Sequence, residues 1–141
     1  MTFYLDASVT VPLFVDEPTT SVITAWLNTQ NFPLYTTMLA VGETASAISR
    51  RRRMGELTND EELHALATLD EWLSIAVTTI DHQPVDIAEA AIFVRRPTPK
   101  LLMPDAIHLA TCRRLGLTLV TNDSGLATVA DLLRVNRLAL G

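Results

Sequence analysis

The chain has 141 residues, 48% of them hydrophobic and 19% charged, with a formal net charge of −5 and a mean hydropathy of +0.24. That length suits a single domain, residues 1–141, with a sizeable core. The acidic balance excludes broad, non-specific nucleic-acid binding through a basic surface. The low charge implies apolar surface covered by a partner or a second copy.

Thr2 to Leu5 reads as a short buried strand, without the basic start or long apolar run of a signal peptide. Ser8 to Val15 is an apolar helical stretch that Asp16-Glu17-Pro18 breaks, and a second helix is expected over Thr19 to Thr29, with Val22, Ile23, Trp26 and Leu27 on one face. Pro18 to Gly42 carries no charge, yet Asn28, Gln30, Asn31 and Pro33 interrupt it too often for a membrane span. Leu34-Tyr35-Thr36 is a short strand ahead of a helix that stays small or apolar through Ile48, turns into Arg50-Arg51-Arg52-Arg53 and stops at Gly55.

Thr58-Asn59-Asp60-Glu61 has capping-box spacing and opens a helix with the stripe Leu63, Leu66, Leu69 and Leu73. Ala76 to Ile80 is strand-like. Asp81-His82-Gln83-Pro84 then reads as a capped entry to a helix over Val85 to Val94, with Ile87, Ala88, Ala91 and Val94 together. After the loop Pro97-Thr98-Pro99, Pro104 opens a helix ending near Gly116. Cys112 on that helix is the only cysteine, which excludes an intrachain disulfide and implies a core position in a reducing, cytoplasmic setting. Leu117 to Thr121 is a strand, and Leu126 to Leu138 mixes a short helix with an edge strand. The alternation gives an α/β sandwich with a mostly parallel sheet, in which ligands bind beyond the carboxyl ends of the strands.

Four acids stand in otherwise uncharged stretches: Asp6, Glu43, Asp105 and Asp123. Carboxylates in apolar surroundings are costly unless something pairs with them, and a divalent cation is the simplest partner where no Lys or Arg is near in sequence. Each has an ordinary reading as well. Asp6 can cap the next helix, although Ser8 can do that instead; Asp105 suits the positive end of its helix; Asp123 suits a turn and cap. Glu43 is harder to explain away, because Leu39, Ala40, Ser46 and Ala47 around it on the helix include no base. His108, one turn after Asp105, reads as a satisfied buried histidine supporting the site rather than a metal ligand. Arg50, Arg51, Arg52 and Arg53 either contact phosphates or complement the carbonyl end of their helix, and Arg113 and Arg114 suit the last turn of theirs.

These segments, Tyr4-Leu5-Asp6-Ala7-Ser8, Glu43, Pro104-Asp105-Ala106-Ile107-His108-Leu109-Ala110 and Val120-Thr121-Asn122-Asp123, occur in an order that resembles the PIN domain family, specifically its VapC-type toxins from toxin–antitoxin pairs. The resemblance spans essentially the whole chain and implies a PIN-like α/β/α sandwich. It maps the family's acidic quartet onto Asp6, Glu43, Asp105 and Asp123, with Ser8 and Thr121 as supporting polar groups. The stretch before Glu43 lacks the Ser often found there. It further implies a Mg2+-dependent endoribonuclease, with Mn2+ as substitute, acting on RNA, forming a homodimer and inhibited by a cognate antitoxin. Asp6, Asp105 and Asp123 would hold the metal, with Glu43 completing the acidic ring and positioning or deprotonating the water.

Rival readings fit less well. A phosphoacceptor receiver domain wants a Lys after a late strand, whereas Lys100, the only lysine, stands in a loop. A haloacid-dehalogenase-like phosphatase wants an acid where Ser8 stands, and a dinucleotide fold wants a glycine-rich turn. A catalytically silent PIN-like scaffold is the remaining alternative.

Overall fold

The computed structural model describes residues 2–140. Five strands, β1 (Phe3–Leu5), β2 (Leu34–Thr37), β3 (Thr78–Ile80), β4 (Thr118–Thr121) and β5 (Arg137–Ala139), form one sheet in the order β3-β2-β1-β4-β5. Every pairing is parallel. Parallel neighbours need crossovers, and helices supply them: α1 (Ala7–Thr10), α2 (Thr20–Asn28), α3 (Met38–Arg53), α4 (Asn59–Ile75), α5 (Pro84–Phe93), α6 (Met103–Leu115) and α7 (Ser124–Leu132).

Alternation along the strands builds three layers. Tyr4 and Leu119 point to one face, against Ala90 and Phe93 of α5, Leu109 of α6 and Val129 of α7. Phe3, Leu5 and Val120 point to the other, against Val9 and Ile23 with Trp26 and Leu27. A third cluster, Val15, Val41, Ile48, Ala65 and Leu69, joins α3 to α4. The expected α/β/α sandwich is therefore present, and Cys112 is fully buried in it.

Local chemistry sets the helix ends. Thr37 accepts from the Ala40 amide at the start of α3, and the four arginines sit at its carbonyl end. Thr58 and Glu61 make the reciprocal capping box that opens α4. Gly116 closes α6 in the left-handed region, φ 66°, which a side chain would resist.

Several sequence expectations change. The helix expected over Ser8 to Val15 is only α1 followed by a 3-10 turn over Val11–Leu13, because Pro12 cannot continue the α-helical ladder. Leu63 is 57% exposed, since α4 buries the face of Ala65 and Leu69 instead, and Val22 on α2 is likewise exposed. On α5 the face carrying Ile87, Ala88 and Ala91 points outward, whereas Asp86, Ala90 and Phe93 are buried. Apolar residues all round that helix leave its orientation undecided until Asp86 meets Arg114.

The α5 entry is capped as expected, with Gln83 at the capping position and Asp86 Oδ2 accepting from its amide at 2.8 Å. Arg114 pairs bidentately with Asp86, Nε to Oδ1 at 2.7 Å and Nη2 to Oδ2 at 2.9 Å, rather than serving only the helix end.

Candidate active site

Sheet order decides where a ligand can reach the backbone. The chain leaves β1 toward β2 on one side and returns to β4 on the other, so a crevice opens beyond the carboxyl ends of β1 and β4. Asp6 follows β1 and Asp123 closes the turn after β4. β2 lies on the other side of β1, and α3 starts directly from it, carrying Glu43 within its second turn.

Asp6 is the buried member, 4% exposed. It occupies the capping position of α1, yet its side chain makes no cap bond. Instead Ser8 Oγ donates to Asp6 Oδ1 at 2.5 Å and Thr121 Oγ1 donates to Asp6 Oδ2 at 2.7 Å. Ser8 Oγ in turn accepts from the Asn122 amide at 2.8 Å, stitching α1 to the end of β4. Burial raises the Asp6 carboxyl above the usual range, and the two hydroxyls pull it partly back. No Lys or Arg takes part, so its charge is solvated by dipoles and not neutralised.

Asp105 lies in the first turn of α6, half-buried. Burial pushes its carboxyl up to about 6; His108 opposes this, while the charges of Glu43, Asp123 and Asp6 add to it. Glu43, Asp123 and Asp6 are each near enough to bear on the charge of Asp105. Asp123 is exposed, and its Oδ1 caps α7 by accepting from the Gly125 and Leu126 amides at 2.9 and 3.1 Å. The capping role read from the sequence is real, and it leaves Oδ2 for another partner.

Glu43 has a base after all, from a distant segment. Its Oε1 lies 2.5 Å from Nε2 of His108, which is only 1% exposed. His108 Nδ1 lies 2.5 Å from the Tyr4 hydroxyl, and that hydroxyl lies 2.8 Å from Thr37 Oγ1. Burial holds the Tyr4 phenol well above its ordinary pKa. Sequence reading missed Tyr4, although a hydroxyl in a fully buried strand was the available signal, since such groups find partners.

The site opens into two grooves along α3. One of about 780 Å³ runs past Ser8, Asn122, Asp123, Arg50 and Arg51. The other, about 550 Å³, is lined by Met38, Gly42, Glu43 and Arg50. Arg50 stands where they meet. Arg51 does not have the freedom expected of a phosphate contact: it pairs with Glu17 and lies 3.3 Å from Glu56. Arg52 and Arg53 are exposed beyond the grooves.

Among the described residues, no three His, Cys, Asp or Glu side chains are drawn tightly enough to form a ready-made metal cage. Uncompensated carboxylates repel one another, and Asp123 and Glu43 each commit one oxygen elsewhere. The donor chemistry nonetheless suits a hard divalent cation, being carboxylate oxygen throughout.

The family model for the PIN domain matches residues 3–132. The chain belongs to the PIN domain family. This PIN domain is 33% identical over 116 residues to Ribonuclease VapC46 of Mycobacterium tuberculosis, covering 82% of this chain and 78% of that protein. Its fold resembles that of VapC20 from Mycobacterium tuberculosis, described as a sarcin–ricin loop cleaving toxin, with a TM-score of 0.74, 17% identity and coverage of 89% and 93%. It also resembles VapBC2 from Rickettsia felis bound to a promoter DNA fragment, with a TM-score of 0.75 and 14% identity over the whole of both chains. At such identities the structural likeness is one of fold.

Proposed function

We propose that this PIN domain is a VapC-type toxin, an endoribonuclease that depends on Mg2+ or Mn2+ and is restrained by a cognate antitoxin. The observation that carries the reading is Asp6: a buried carboxylate held by two hydroxyls, with no Lys or Arg on either oxygen, and near enough to Asp105 to help raise that second carboxyl. Leaving such a charge unpaired costs several kcal/mol, on the order of a buried ion's desolvation. The 33% identity to a named ribonuclease supports the same reading.

Asp6, Asp105 and Asp123 would hold the ion. When bound, it would supply Lewis acidity toward a phosphate oxygen and favour ionisation of water. The chain's own residues do the rest. Ser8 and Thr121 fix both oxygens of Asp6, and Asp123 offers the oxygen that its cap leaves free. Glu43, with Oε1 on His108, has Oε2 for the proton of an attacking water as the water oxygen bonds to phosphorus and a phosphorus–ester bond breaks. Arg50, which lines both grooves, would meet the phosphate of a strand passing between them.

Structural neighbours crystallised as VapBC assemblies support an antitoxin partner. Exposed Met38 and Met54, 62% and 59%, border the grooves and suit an apolar antitoxin segment. A homodimer belongs to the same proposal, with exposed Val85, Ile87 and Ile92 of α5 as the face it would cover. No helix among the described residues is long and apolar enough to cross a membrane. The phosphoacceptor alternative is weakened by Lys100, which stands in an exposed loop between α5 and α6.

The test is cleavage of RNA by the purified chain with Mn2+, with Mg2+ and with chelator, beside Asp6→Asn. Metal-dependent cutting lost in Asp6→Asn is the expected result. An Asp6→Asn chain that cuts as well as the wild type overturns the reading. Retained RNA and antitoxin binding without cutting in the wild type would favour the silent scaffold instead. A single deoxynucleotide at the cleavage point should leave cutting intact, because water attack needs no 2′-hydroxyl.

A further inference from the structure

The ribonuclease reading leaves two buried polar side chains without a purpose, Tyr4 and His108. Both are buried in the core. Tyr4 lies in the middle of the central strand and is fully buried, and His108 sits on the inward face of α6. An apolar pair of similar size would fill the same space without two hydrogen-bonding side chains to satisfy. Their polar atoms make one continuous line: Thr37 Oγ1 to Tyr4 hydroxyl, 2.8 Å; Tyr4 hydroxyl to His108 Nδ1, 2.5 Å; His108 Nε2 to Glu43 Oε1, 2.5 Å.

The line has an inner end and an outer end. Thr37 caps α3, so the inner end is anchored to the start of the helix that carries Glu43. The outer end is Glu43, the only member with substantial exposure, 32% of its side chain. Because an ionised carboxylate only accepts, Nε2 must donate to it, while the Tyr4 hydroxyl on Nδ1 stops the ring from turning. A free Glu side chain on a helix surface samples several rotamers, whereas this one is tied at Oε1 and can present only Oε2 outward.

We propose that Tyr4 and His108 are positioning residues for Glu43, fixing one oxygen of its carboxylate so that the other faces the reacting water. The role rests on the ribonuclease reading. Neither residue touches substrate; each acts through the one beyond it. The Tyr4 hydroxyl, itself held by Thr37, gives the imidazole its bearing, and the imidazole gives Glu43 its own.

The test uses the full chain and short fluorogenic oligoribonucleotides of randomised sequence with Mn2+. Tyr4→Phe keeps the ring and removes only the hydroxyl, so it should fold and melt near the wild type while kcat falls about 10-fold at unchanged KM, the scale of an orienting partner. His108→Leu should fall about 10–100-fold and His108→Gln, which keeps a donor, less. The deciding measurement is the cycle with Glu43→Gln. In that background Tyr4→Phe and His108→Leu should cost nothing further, because their effect passes through the carboxylate. A ring N–H signal of His108 protected from exchange, shifted by Glu43→Gln and by Tyr4→Phe, should report the linkage independently of activity. Tyr4→Phe and His108→Gln as active as an active wild type overturn this role alone, as do losses that simply add to that of Glu43→Gln. A wild type that cuts no RNA overturns the ribonuclease reading and this role with it.

Discussion

Thr121 donates its hydroxyl proton to Asp6 over 2.7 Å, a bond between residues 115 positions apart that ties the ends of β4 and β1 together at the carboxylate. The bond explains how a buried acid with no Lys or Arg partner keeps a defined orientation. Ser8 does the same for the other oxygen and also receives the Asn122 amide.

Removing one of these hydroxyls should therefore injure the site more than the fold. Thr121→Val is close in shape, and we expect kcat/KM on RNA to fall about 10-fold while stability drops by about 1 kcal/mol, the net worth of one such bond. Thermal melts beside cleavage kinetics check it. Unchanged kinetics would mean that Asp6 is oriented without Thr121.

Asp105 gives a pH dependence whose sign is fixed. Its folded carboxyl is pushed up to about 6 from the usual value of 3.8. A raised acid stabilises the fold fully below the unfolded value and loses that contribution as pH rises through about 6. In chelator, the wild type should lose stability between pH 4 and 6.5 from this group, and Asp105→Asn should abolish that part of the loss. At pH 7.5 the variant should be the more stable by on the order of 1 kcal/mol, solvent screening of a half-buried group included. Melting curves across pH decide it; a destabilised variant at pH 7.5 contradicts it.

Arginines side by side on α3 should behave differently. Arg50 forms no ion pair among the described residues and stands between the two grooves, whereas Arg51 is held by Glu17 and Glu56. Arg50→Ala should raise KM for RNA about 3- to 10-fold, with a shallower salt dependence and little change in kcat. Arg51→Ala should instead cost about 1 kcal/mol of stability, as partly exposed pairs do. Titration of KM against salt and urea unfolding separate the two.

The Asp86–Arg114 pair joins α5 to α6, lines neither groove and should matter to folding alone. Asp86 is fully buried and accepts both Arg114 nitrogens. Arg114→Ala strands that carboxylate, with a loss of about 2–4 kcal/mol, since Arg114 itself is partly exposed. Denaturant unfolding measures it, and cleavage per folded molecule should stay near the wild type.

Much of this protein was legible without coordinates, for identifiable reasons. The order of elements follows from signals that act within a few residues: the capping box at Thr58 and Glu61, Pro104 inside the first turn of α6, Gly116 in the left-handed conformation at its end. Isolation of Asp6 and Glu43 from sequence-local bases was equally visible, because charge composition is local. What failed was also physical. Leu63 and Ile87 satisfy helical periodicity, yet which side of an apolar helix is buried depends on what it packs against.

The partners of the acids belong to tertiary structure altogether. Thr121 reaches Asp6, His108 reaches Glu43 and Tyr4 reaches His108 only because parallel strand order brings β1, β2 and β4 side by side. Likewise the assignment of Arg51 to Glu17, and of Arg114 to Asp86, came from packing and not from spacing. Sequence determined which groups carry the charge, since residue type sets the chemistry. The fold decided what each charge meets, since contacts across long chain separations depend on how the layers close.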